Sequence, residues 1–75
     1  MELNEFVQRF AEEFDETPIE AFAPETEFKT LDEWNSLTAL SIIAMVDEAY
    51  DKTITGANLR ACKTIEELFN LVSTL

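Results

Sequence analysis

Apolar residues recur every three or four positions at the start of the chain. Leu3, Phe6, Val7, Phe10 and Phe14 fall on one face of a 3.6-residue period, with Glu5, Arg9, Glu12, Glu13 and Glu16 on the others. A first amphipathic helix is predicted there. Residues 15–35 have no long period and hold both prolines, Pro18 and Pro24. Within them, Thr17-Pro18-Ile19-Glu20 has the form of a capping threonine, a proline at the first helical position and an acid at the third position after the cap. One short turn carrying Ile19 and Phe22 is predicted. Phe28, Leu31 and Trp34 are the expected further tethers, because so long a loop stays in place only by dropping side chains onto the core.

A second helix is predicted from about Ser36, capped by Asn35 or by Ser36 itself. Its expected buried side is Leu37, Leu40, Ile43, Ala44, Val46 and Tyr50. A connector then holds the only glycine, Gly56, and a short helical turn after Thr55, anchored by Ile54 and Leu59. Thr64-Ile65-Glu66-Glu67 opens a last helix with a capping box, and Ile65, Leu68, Phe69 and Val72 form its stripe. No strand-like alternation of useful length appears. The pattern predicts an all-α chain: a small antiparallel bundle of three main helices plus one short helix, a single domain over residues 1–75.

Composition removes whole classes of function. With no histidine, the usual general base near neutral pH and the commonest metal ligand are absent. A single cysteine, Cys62, excludes an internal disulfide and a Cys-rich zinc site. Cys62 reads as a small buried hydrophobe. Asp51, Thr53, Thr55 and Gly56 take positions one, three, five and six of a calcium loop, but Cys62 stands where a bidentate glutamate is required. No metal site is expected, and at 75 residues there is little room for a substrate pocket, so an enzyme is not expected either. No apolar run approaches the roughly 20 residues of a membrane span. The acidic start, Met1 to Glu5, lacks the basic stretch of a signal peptide, and a soluble cytoplasmic chain, monomeric, is expected.

Charge narrows the partners. Sixteen acids against five bases give a net charge of −11, and eleven of those acids lie in residues 1–33. Nucleic acid and anionic membranes repel such a surface. The acids serve either as a solvated coat or as a field steering the chain toward basic patches on partner proteins.

Ser36 follows the long irregular segment and stands at the mouth of a helix whose next residues are apolar. A hydroxyl there faces solvent, and the helix dipole favours a phosphate attached to it. A plain capping serine has the same signature. Asn35-Ser36-Leu37 resembles the Asp-Ser-Leu motif of acyl carrier proteins, whose serine bears 4′-phosphopantetheine. The resemblance spans essentially the whole chain. It includes the acidic first helix, a long loop with Phe28, the serine near mid-chain, Val46-Asp47-Glu48-Ala49-Tyr50 closing the second helix, Ile54, and Thr64-Ile65 opening the last.

The resemblance implies transport rather than catalysis. A phosphopantetheinyl transferase would place the arm of coenzyme A on Ser36. Acyl-transferring and condensing enzymes with basic docking patches would then exchange acyl groups with it, in fatty acid or polyketide synthesis. Three departures bear on this. Asn35 replaces the usual aspartate, the glycine common shortly before the serine is replaced by Leu31-Asp32-Glu33-Trp34, and Thr38 and Ser41 stand where many members carry acids. Partner contacts are therefore expected from Trp34, Asn35 and Leu37, with Asp47 and Glu48 as the second helix's remaining acids. Trp34 reads equally well as a lid over the core. The competing reading of the whole chain is an acidic adaptor or inhibitor that imitates charge and carries no prosthetic group.

Overall fold

The alternation of apolar and charged residues in the first turns folds as expected into α1, Leu3–Ala11, in the computed structural model, which describes residues 2–75. The acidic start discussed above begins at Met1, which lies outside the described residues. Phe6, Phe10 and Ala11 of α1 are buried, while Glu5 and Arg9 face solvent and form the one ion pair among the described residues, at 3.4 Å. The helix stops short of Phe14. Two tighter bonds, from Glu13 N–H to the Phe10 carbonyl and from Phe14 N–H to Ala11, close its end. Phe14 is nonetheless buried, its ring 4.9 Å from that of Phe22 and 5.6 Å from that of Phe10.

The segment that follows is irregular apart from two 3₁₀ turns, Ile19–Ala21 and Phe28–Thr30. The expected threonine cap does not form at the first. Thr17 instead donates its hydroxyl and its N–H to the Glu33 carboxylate, which also accepts from the N–H groups of Asp15 and Glu16. Ile19 is exposed, contrary to its expected role as an anchor, and Phe22 is buried as expected. The other tethers hold. Phe28 is fully buried, with Phe10 5.3 Å away and Trp34 edge-on at 4.9 Å, and Leu31 and Trp34 are half-buried against the core. The loop also closes the start of the last helix: Ile65 and Glu66 donate their N–H groups to the carbonyls of Thr26 and Pro24. These are donors that a helix's first turn leaves without an internal partner.

The second helix, α2, runs Ser36–Tyr50. Its inward face differs from the expected one. Ile42, Met45 and Val46 are buried, Ile43 and Tyr50 are half-buried, and Leu37, Leu40 and Ala44 face solvent. The reason is compositional: no charged residue occurs between Ser36 and Val46, so apolar residues surround the helix and give it no phase of its own. Asp51 ends α2 in a left-handed conformation (φ 56°, ψ 40°), which its short polar side chain tolerates.

The short helix α3, Gly56–Ala61, is capped reciprocally by Thr55 and Asn58. The last helix, α4, runs Ile65–Ser73, and the Thr64 hydroxyl accepts from Glu67 N–H at 3.1 Å. Glu67 does not complete a box on Thr64; its carboxylate accepts from Lys63 N–H at 2.7 Å. α1 packs on α2 and α4, and α2 packs on α3. The architecture is the expected all-helical small bundle, three principal helices and a short one. Among the described residues no helix is long and apolar enough to cross a membrane.

Candidate functional site

The front of α2 is organised by Asn35. Its extended backbone turns the side chain back on the helix, where Oδ1 accepts from the N–H groups of Leu37 at 2.9 Å and Thr38 at 3.0 Å. The Asn35 carbonyl accepts from Ala39 N–H, the first bond of the helical ladder. Thr38 adds a strut, donating its hydroxyl to the Glu33 carbonyl at 2.6 Å. Of the two candidate caps, therefore, Asn35 is the cap. Ser36 is exposed in the first turn, and among the described residues its hydroxyl has no hydrogen-bond partner. Two helix-end amides, which would otherwise favour an anion here, are already taken by Asn35.

Beside Ser36 lies a cleft of about 310 Å³. Lys29 and Trp34 of the long loop form one wall, and Gly56, Leu59 and Arg60 of α3 form the other. No acidic side chain lines it, in a chain with sixteen acids. The Lys29 ammonium reaches across to donate to the Arg60 carbonyl at 2.7 Å. The Arg60 guanidinium folds back over Gly56, its Nη1 3.3 Å from where a Cβ would stand. Neither cation is paired with a carboxylate among the described residues.

The other predicted residues are dispersed. Trp34 stacks parallel to Phe10 at 6.5 Å and edge-on to Phe28, so it lids the core while one side of it borders the cleft. Leu37 is 75% exposed and Leu40 is 61% exposed, an apolar face directly after Ser36. Asp47 and Glu48 are exposed near the far end of α2, about 17 Å along its axis from Ser36 at 1.5 Å per residue. Glu48 lies among the acids at the end of α1. Burial first, and then repulsion from Glu12 and Glu48, push the Glu13 carboxyl above its ordinary pKa.

Glu33 is engaged within the fold. The Thr17 hydroxyl bond, followed by the N–H groups of Thr17, Glu16 and Asp15, holds its carboxyl below the usual range. Cys62 is buried, as expected, and burial pushes its thiol up. Of the residues at calcium-loop positions, Thr55 is spent capping α3, Asp51 ends α2, and Cys62 lies in the core.

Sequence reasoning passed over Lys29 and Arg60, and met Thr38 and Glu33 only as departures from the family pattern. A signal for the first two was present, because they are two of only five basic residues. Their bracing contacts carried no signal, because the partners of Thr38 and Glu33 are set by the fold.

A family model described as a phosphopantetheine attachment site matches residues 3–72. No curated protein and no solved structure gives a significant match.

Proposed function

The chain belongs to the phosphopantetheine attachment site family, and from that premise we propose that it carries acyl groups for fatty acid or polyketide synthesis on an arm joined to Ser36. The prosthetic group of this family is 4′-phosphopantetheine. When bound, it supplies a terminal thiol that holds an acyl group as an activated thioester. The residues present fit such a group. Ser36 offers an exposed hydroxyl, and the adjoining cleft offers two cations and no acid to a phosphodiester.

The unengaged Ser36 hydroxyl carries the reading. Were it merely a cap, its oxygen would accept from the amides at the helix start, and Asn35 does that instead. In the attachment, Oγ forms a bond to the pantetheine-bearing phosphorus of coenzyme A as the bond to adenosine 3′,5′-bisphosphate breaks. The hydroxyl proton passes to the transferase. Carrier domains serve transferases and biosynthetic enzymes in general, and here the exposed Leu37 and Leu40 beside Ser36 offer them an apolar contact. Asp47 and Glu48 at the far end of α2 offer a second, charged one to basic patches. Trp34 contributes its cleft-facing side, while Asn35 acts indirectly by holding the first turn.

The test is an intact mass after incubation with coenzyme A, magnesium and a broad-specificity transferase. A gain of one phosphopantetheine unit that Ser36→Ala abolishes is the expected outcome. No gain on the wild-type chain would leave the acidic adaptor as the better account.

A further inference from the structure

We propose that Lys29 and Arg60 form a clamp that binds the phosphodiester of the arm and lays the arm's first atoms along the cleft between the loop and α3. The inference rests on the Ser36 reading above and extends it to residues that the family description does not name.

Three observations support the clamp. Two of the amides that usually receive an anion at a helix start are taken, because Asn35 Oδ1 already accepts from Leu37 and Thr38. An anion on Ser36 therefore gains more from cationic side chains nearby. Secondly, two of the chain's five bases border this one cleft, and neither is paired with any of the acids among the described residues. Cations left without carboxylate partners on a surface of net charge −11 leave a local positive site for an external anion.

Thirdly, Lys29 is tied to the opposite wall of the cleft, and Arg60 folds over Gly56. Lys29 is anchored by its bond to the Arg60 carbonyl, leaving its other two N–H groups free. The Arg60 guanidinium lies over the bare Cα of Gly56, where any larger residue would crowd it. A guanidinium donates in a planar fork suited to phosphate oxygens, and an ammonium adds a point charge.

The experiment uses the arm-bearing protein itself, with an intact mass to count arms. The ³¹P resonance of its phosphodiester is compared at low and high salt, and again after unfolding in urea. It is also compared between wild type and the double variant K29Q/R60Q. At low salt the wild-type resonance is expected to be displaced from the unfolded-state position. That displacement should disappear in the double variant and at high salt. Amide shifts at Gly56 and Arg60 between the forms without and with the arm should be lost in parallel.

A resonance identical in wild type, variant and unfolded chain overturns the clamp, even though the mass shows the arm present. Failure of wild type to gain the arm at all overturns the Ser36 reading and the clamp with it. The salt titration of wild type decides the question alone if the variant accepts the arm poorly.

Discussion

α1 and α2 contrast in how they use their apolar residues. In α1 the apolar and the buried positions nearly coincide: Phe6, Phe10 and Ala11 go inward, and Glu5 and Arg9 meet solvent. In α2 they do not. Ile42, Met45 and Val46 go inward, yet Leu37 and Leu40 stand in water beside Ser36. A surface helix normally puts charge on its outer face, and α2 has none before Asp47. An outward apolar face is tolerable on a chain whose net charge of −11 opposes association. The difference separates a helix whose apolar residues are spent on packing from one that leaves apolar residues in solvent.

The sharpest way to test that contrast is to remove one ring from the packed side. Phe28→Ala deletes a fully buried ring that meets Phe10 and Trp34. It should cost about 3–5 kcal/mol, which is roughly the entire stability that a core of this size supplies. Circular dichroism and urea titration should find the variant largely unfolded. A cooperative, near-wild-type melt would mean that the rings do not hold the loop.

Asn35→Ala comes next, at about 1 kcal/mol, because it leaves the amides of Leu37 and Thr38 without their acceptor. Asn35→Asp keeps the acceptor and adds a charge favoured at a helix start, so it should match or exceed wild type by about 0.3–1 kcal/mol. Urea midpoints measure both. If Asn35→Ala leaves the midpoint unmoved, Asn35 is not the cap and Ser36 regains that role.

A smaller effect is expected from Glu33, where solvent screens the interaction. Its carboxyl is depressed by the Thr17 hydroxyl and by three backbone N–H groups. A depressed acid stabilises the fold above its unfolded pKa, about 4.3. That contribution fades as pH falls through the lower folded value. Glu33→Gln should therefore lower thermal stability at neutral pH and lose less than wild type on acidification below about pH 4. Parallel melting curves for the two proteins across that range would show that the Glu33 carboxylate does not stabilise the fold.

The smallest change in stability belongs to the outward face. Leu37→Ser and Leu40→Ser should stay within about 0.5 kcal/mol of wild type while slowing arm transfer to Ser36, read by timed intact mass. Losses as large as that of Phe28→Ala would show that this face is packed, and the contrast between the helices would fail.

Much of the fold was legible in the chain. The phase of α1, the tethers Phe22, Phe28 and Trp34, the start of α2 and the threonines heading α3 and α4 all follow from local patterns. Capping and periodicity act over a few residues, so a reader of the sequence sees the same forces that the chain obeys. Thr17 was misread for a related reason. Its local capping pattern was outcompeted by Glu33, sixteen residues away, whose carboxylate accepts from the whole Asp15–Thr17 turn.

Local pattern and composition set the helix count, the acidity, the absence of histidine and disulfide chemistry, and the position of Ser36 at the mouth of a helix. Packing against α1 and α3 chose which side of α2 faces the core, because a helix with no charged face takes its phase from its neighbours. The fold set Asn35 rather than Ser36 as the cap. It also brought Lys29 to Arg60 across 31 residues of chain. Charges can be counted along a sequence, but their separation in space is set by the packing that closes the loop between them.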